Sequence, residues 1–293
     1  MESNLHNALA EIVASAVANN YPKIKIVKNL PLLFPTDEPL FLWYNQVPTD
    51  DFFYTPTEYM FSYCFNQILE SQNESALLNM AKLNYDNDSY WLNSSTLRVP
   101  MFQPDQNQVA SAIANASSFD YSFDAKISND SLNFSNSFLV FLEKLASNIA
   151  FDKVNFNLHF DALASVPFSP KGWFTPSVFA IAYKNKSSWN SSSSTTWDTL
   201  FGSDGELQFL NTELVVGSGL TVKIVLYGNY SVNEFEAIKE FLNEIWPFNM
   251  QRKCLQESFQ LMTDGSIEIN LSSVSNSILI VGMQVASVES LLS

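Results

Sequence analysis

Glycine is absent from the first 171 residues; all eight glycines lie at or after Gly172. A phosphate loop or a dinucleotide fingerprint needs glycine where backbone approaches phosphate, so neither can occupy the N-terminal half. The later glycines lack the required spacing. Without glycine, that half must turn with Pro, Asn, Asp and Ser, which favours helices with long extended connections there and β-hairpins afterwards. Arginine is rarer still, with Arg98 and Arg252 alone, so bidentate clamps for phosphate or carboxylate are scarce. The net charge of −15 argues against nucleic acid and against an anionic membrane surface.

Two histidines, His6 and His159, cannot build a multi-histidine metal site. No cofactor and no metal is expected. Cys64 and Cys254 lie far apart and read as two buried thiols of a reducing compartment. No run approaches the roughly 18 apolar residues of a membrane span. The opening stretch MESNLHNALAEIVASAVANNYPK lacks a basic region and carries Glu2 and Glu11, so it reads as an amphipathic helix rather than a secretory signal. A cytoplasmic location is the expectation. On that footing the Asn-x-Ser/Thr sequons, among them Asn73, Asn87, Asn93, Asn115, Asn133, Asn185, Asn229 and Asn270, are coincidences of an Asn- and Ser-rich chain.

What is present describes a folded protein with a neutral, polar surface: 46% apolar and 15% charged residues over a length of 293. Residues 206–246 read as strand, tight turn at Gly217-Ser218-Gly219, strand and capped helix. Ser231 and Glu234 form the capping box, and Pro247 ends the helix. Upstream, residues 29–56 hold five prolines and read as an extended connection. Thr55-Pro56-Thr57-Glu58 reads as a helix start, with the helix reaching Glu70 and a second one reaching Leu83. Residues 84–104 read as loop, 105–114 as a helix capped by Asp105 and Gln108, 121–127 as a strand and 136–150 as a helix. Val154, Phe156, Leu158 and Phe160 alternate with polar residues as a half-wet strand. Ser177–Tyr183 reads as a strand, and the serine-rich stretch 184–205 as a mobile loop. Asp264-Gly265 marks a hairpin, and residues 278–285 a closing strand. The fold class is α+β: a helix-rich, aromatic-rich half over 1–150, packed against a mostly antiparallel sheet over 151–293 that helix 232–246 crosses. The two halves form one integrated domain or two.

Chemistry is thinly marked. His159 and Asp161 share a strand face and could act as a base with its orienter. Gly217-Ser218-Gly219 is not the G-x-S-x-G nucleophile elbow. Asp86-Asn87-Asp88-Ser89 offers oxygens but lacks the glycine and glutamate of a calcium loop. The densest unusual stretch is residues 41–65, rich in aromatic rings mixed with acids, which suits a sugar or a cationic ligand as well as a core. Trp43, Tyr44, Asp50, Asp51, Tyr54, Tyr59 and Tyr63 are its candidate ligand residues, joined by Trp189 and Trp197, which bracket the serine run inside residues 184–205. Within it, Tyr63 is expected to lie buried beneath the proline-rich connection. The leading expectation is a non-enzymatic binding or assembly protein with a protein or carbohydrate partner, or with further copies of itself as a homo-oligomer. A membrane-acting, toxin-like protein is the alternative, and a hydrolase using His159 and Asp161 the third.

Overall fold

A computed structural model describes residues 12–13, 24–27, 32–48, 53–54, 60–93, 98–126, 153–242, 255–274 and 277–293. In chain order its elements are β1 (Ile24–Val27), α1 (Asp37–Tyr44), β2 (Phe53–Tyr54), α2 (Phe61–Ser71), α3 (Ala76–Asp86), β3 (Trp91–Asn93), β4 (Arg98–Pro100), β5 (Phe102–Gln103) and α4 (Gln106–Ala114). There follow β6 (Phe119–Lys126), β7 (Lys153–Phe160), β8 (Ala162–Pro167), β9 (Ser169–Pro170), α5 (Pro176–Lys184), α6 (Trp197–Phe201) and β10 (Phe209–Ser218). The chain closes with β11 (Thr221–Tyr227), α7 (Val232–Leu242), β12 (Leu255–Leu261), β13 (Ile267–Ser273), β14 (Ile278–Ser287) and α8 (Val288–Leu292). The fold class is α+β, as the sequence predicts. The residues fall into two compact units: 1–33, 110–165 and 215–282 form the first, and 34–109, 166–214 and 283–293 the second.

The first unit is built on an antiparallel sheet of order β12-β13-β11-β7-β6. Val154, Phe156, Leu158 and Phe160 of β7 are buried together with Val222, Ile224 and Leu226 of β11 and Ile267, Ile269 and Leu271 of β13. The period-two pattern thus turns one face into a core and leaves the other wet. α7 packs beside β12, with Ile238 buried. Its predicted capping box forms: the Ser231 amide donates to Glu234 Oε2 at 2.8 Å, and the Glu234 amide to Ser231 Oγ at 3.3 Å. The Asp264-Gly265 hairpin joins β12 and β13, with Gly265 at φ +83.

The turn at Gly217-Ser218-Gly219 differs from its expected role. β10 and β11 do not pair; they belong to different five-stranded sheets. β10 lies between β14 and β8, and β11 between β13 and β7. Each is a central strand whose two hydrogen-bonding edges are already taken, so no edge remains for a hairpin between them. Gly219, at φ +63, carries the chain from one sheet to the other.

The second unit gathers its helices around Trp173, a fully buried ring whose indole donates to the Met101 carbonyl at 2.8 Å. Phe61 and Phe65 of α2, Tyr85 of α3, Trp91 and Phe102 surround it, with ring centroids 5.6 to 6.3 Å away. α2, α3 and α5 pack against one another. α2 starts at Phe61 after an extended Met60, five residues later than the Pro56 start its sequence suggests; Thr55–Tyr59 lie outside the described residues. Its cap comes from across the fold. The Asn45 carbonyl accepts the Phe61 amide at 2.6 Å, and Asn45 Oδ1 accepts the Ser62 amide at 2.8 Å. These are two of the amides that a helix start leaves without partners.

Three further expectations change. Residues 37–44 are helical, because Pro39 falls in the first turn, where no intrahelical amide bond is lost. Residues 176–184 are helix rather than strand: Pro176 sits at its start, and Val178, Phe179 and Ala182 are buried on one helical face. Residues 84–104 contain short paired strands, β3 with β4, and β5, which pairs with β9. The capping pair of α4 forms as predicted, with Asp105 and Gln108 each accepting the other's amide at 2.9 Å. The helix expected at 136–150 lies outside the described residues, as do the first helix apart from residues 12–13, and residues 243–246.

Candidate functional site

The wet face of the first unit's sheet follows from register. Asp120, His159, Thr221 and Ser272 stand in one cross-strand row. Ser122, Asn157, Lys223 and Asn270 form the next, and Asp124, Asn155, Val225 and Glu268 the third. Side chains stitch these positions within and between rows. Asn155 donates to Asp124 at 2.8 Å, Lys153 pairs with Asp124 at 3.2 Å, and Lys223 pairs with Glu268 at 2.8 Å. Asn155, then Lys153, holds the Asp124 carboxyl below its ordinary range, and a hydrogen bond from Asn270 Nδ2 at 3.0 Å, then Lys223, does the same for Glu268.

His159 is the most closely held group on this face. Its Nδ1 lies 2.7 Å from Asp120 Oδ1, and its Nε2 lies 3.0 Å from Asp161 Oδ1. The hydrogen bond to Asp120, followed by that to Asp161, raises the imidazole pKa above 6.5. Asp161 in turn rests against Gly219: a Cβ built there would meet Asp161 Oδ2 at 1.9 Å. Asp120 is a partner that spacing could not reveal, because it arrives from β6 through strand register. The expected His159–Asp161 pair is real as geometry, yet its chemistry differs from a base with an orienter. In that arrangement one nitrogen stays free to take a proton. Here both nitrogens face carboxylates, which favours a charged imidazolium held in place.

The other polar candidates are similarly occupied. Cys64 is fully buried, and its thiol donates to Glu206 Oε2 at 3.3 Å. Burial, then Glu206, pushes its pKa up, away from the thiolate a nucleophile needs. Cys254 lies outside the described residues. The oxygens around Asp86–Ser89 face a guanidinium: Arg98 donates to the carbonyls of Asp86 at 3.0 Å and Tyr85 at 3.4 Å, pairs with Asp88 at 3.1 Å and stacks over Trp91 at 4.3 Å. A cation at the C-terminus of α3 meets its unpaired carbonyls. Among the described residues no group of three acids, histidines or cysteines could hold a metal ion.

The aromatic candidates scatter. Tyr44 is buried, stacked on Phe168 with centroids 4.1 Å apart, and its hydroxyl has no hydrogen-bond partner among the described residues. Burial, and then Asp37 and Asp105, raises its pKa. Trp43 is half-buried beside Phe34. Tyr54 lies in β2, while Asp50, Asp51 and Tyr59 lie outside the described residues. Tyr63, expected beneath the proline-rich connection, is 57% exposed; Phe61 and Phe65 of the same helix take the buried side. The serine-rich stretch is stapled rather than free. The Trp189 and Trp197 indoles donate to the carbonyls of Ala182 at 2.9 Å and Tyr183 at 2.7 Å, and both rings pack on Phe201.

One feature carries no sequence signature of its own. α3 exposes Leu77, Met80 and Leu83, the last at 73%, on a helix whose neighbours α2 and α5 also expose Tyr63 and Ile181. Of the exposed positions of α3, Ala76, Leu77, Asn79, Met80 and Leu83 are uncharged, and Asp86 at the C-terminal end is the charged one. Among the described residues no helix is long and apolar enough to cross a membrane. Comparison with protein-family models, curated proteins and solved structures returned no match.

Proposed function

We propose that the chain is a non-enzymatic assembly protein that associates with a second copy of itself through α3. The observation that carries this reading is the exposed, uncharged row Leu77, Met80 and Leu83. Contiguous apolar surface of this kind marks interaction sites. The row is symmetric about Met80. An antiparallel copy related by a two-fold axis there would set Met80 against Met80 and Leu77 against Leu83, the self-complementary contact of a closed dimer. Each copy carries a charge of −15, so the uncharged centre of the contact meets the least repulsion, with the exposed acids Glu74 and Asp86 falling at its ends. A standard interface buries about 800 Å² per partner, more than three side chains supply, so Tyr63 and Ile181 are expected within it. The carbohydrate and hydrolase readings have less support, because Trp189, Trp197 and His159 already hold partners within the chain. The membrane-acting, toxin-like reading gains no support here, because β10 and β11 lie in different sheets rather than in one hairpin.

Sedimentation equilibrium tests the proposal. A dimer is expected for the native chain and a monomer for Met80→Lys/Leu83→Lys, with thermal stability unchanged because both sites are exposed. A monomeric native chain at its highest soluble concentration would overturn it.

A further inference from the structure

The sequons separate from the other asparagines by exposure. Eight sequon asparagines are described, and seven of them are exposed, the exception being Asn270 on the half-wet sheet. Of the nine other described asparagines only Asn79, Asn107 and Asn233 are exposed. A chain that acquired sequons by composition alone would bury both kinds alike. Three sequons also share one local geometry. At Asn87, Asn185 and Asn190 the side-chain Oδ1 accepts both the amide and the hydroxyl of the serine two residues on. The amide contacts are 3.0 to 3.1 Å and the hydroxyl contacts 2.7 to 2.8 Å. The intervening residues Asp88, Lys186 and Ser191 are exposed too, and none is proline, as an acceptor requires.

We propose that Asn87, Asn185 and Asn190 are N-glycosylation sites. The donor class is an oligosaccharide linked to a lipid pyrophosphate. In the transfer the sugar C1–O bond to pyrophosphate breaks, a C1–Nδ2 bond to asparagine forms, one amide proton is lost and the lipid pyrophosphate leaves. The serine hydroxyl, hydrogen-bonded to Oδ1, polarises the amide and holds Nδ2 in a fixed, solvent-facing turn. Attachment at these exposed turns adds bulk outside the packed core, so the fold is compatible with it. The reaction belongs to the secretory lumen, and the proposal therefore replaces the cytoplasmic location expected from the N-terminal residues. It is independent of self-association, which is measured on the unmodified chain.

The test uses the native protein from its source cells, immunoblotted before and after peptide N-glycosidase F. A fall in apparent mass on treatment is expected, with enzymatic conversion of asparagine to aspartate at residues 87, 185 and 190 in the released peptides. Mobility unchanged by the enzyme would overturn the proposal, as would conversion confined to other sequons.

Discussion

Asn45 Oδ1 accepts the Ser62 amide at 2.8 Å, while its Nδ2 donates to the Ser62 hydroxyl at 2.9 Å. Both residues are buried, Asn45 completely. One side chain therefore does for α2 what an N-cap does locally, and it ties the end of α1 to the start of α2. Asn45→Ala strips the buried Ser62 amide of its acceptor and the Ser62 hydroxyl of its donor, and is expected to cost about 2 kcal/mol, from the loss of a cap and of buried hydrogen bonds. Denaturant melts measure it, and an unchanged midpoint would show that the clip adds nothing.

Trp173→Ala should be more damaging. Its ring is the common neighbour of side chains from α2, α3, β3 and β5, so truncation leaves a cavity among them. A loss of about 3–5 kcal/mol is expected, as for other buried large aromatics. Near-ultraviolet circular dichroism should lose its aromatic signal in the same variant. A loss below about 1 kcal/mol would be inconsistent with a close-packed site.

Sequence order hides Trp173 because its partners span residues 61 to 174 and no local period marks the ring. Local signals survived well: the Ser231–Glu234 box, the Asp105–Gln108 pair, the Asp264-Gly265 hairpin and the alternation of β7 all depend on neighbours within a few residues. Pairing did not. Leu207–Val216 and Leu220–Leu226 read as a hairpin because a glycine turn joins them, yet strand edges are assigned by competition among the whole sheet. The same limit governs the candidate site. His159 and Asp161 are visible at spacing two, whereas Asp120 is supplied by β6. Val and Phe near Pro176 favoured a strand until packing selected the helical face.

The serine-rich stretch should resist proteases in the native chain and become sensitive once its staples are removed. Trp197 packs on Tyr183 and Phe201, donates to the Tyr183 carbonyl and lies under Lys186 at 3.7 Å. Trp197→Ala removes all of these at once. The first cleavage in limited proteolysis is expected to move into residues 186–197 in that variant alone. Early cutting there in the native chain would restore the reading of a free loop.

Gly219→Ala joins two costs. The residue holds φ +63, and its added Cβ would collide with the Asp161 carboxylate. The positive φ alone should cost about 1 kcal/mol, and the collision must displace Asp161 from His159 Nε2. Stability should fall, and the His159 titration midpoint should move down toward 6.5. A destabilised variant with an unmoved midpoint would separate backbone strain from the histidine contact.

The pH dependence of His159 follows from the direction of its shift. The folded pKa lies above the ordinary 6.5 because Asp120, then Asp161, accept from the charged ring. Such a group adds stability that is fully present below about 6.5, the unfolded value, and is lost as pH rises through the folded value. The ring is partly exposed at 36%, so screening by water limits the gain to a fraction of a kcal/mol, as for other surface pairs. Asp120→Asn removes the larger cause. It should lower the midpoint of the His159 imidazole signal in a proton NMR titration more than Asp161→Asn does. It should also flatten the fall in stability that begins above about 6.5, while leaving alkaline stability unchanged. An Asp120→Asn midpoint equal to that of the native chain would mean that the 2.7 Å contact does not hold the ring in its charged form.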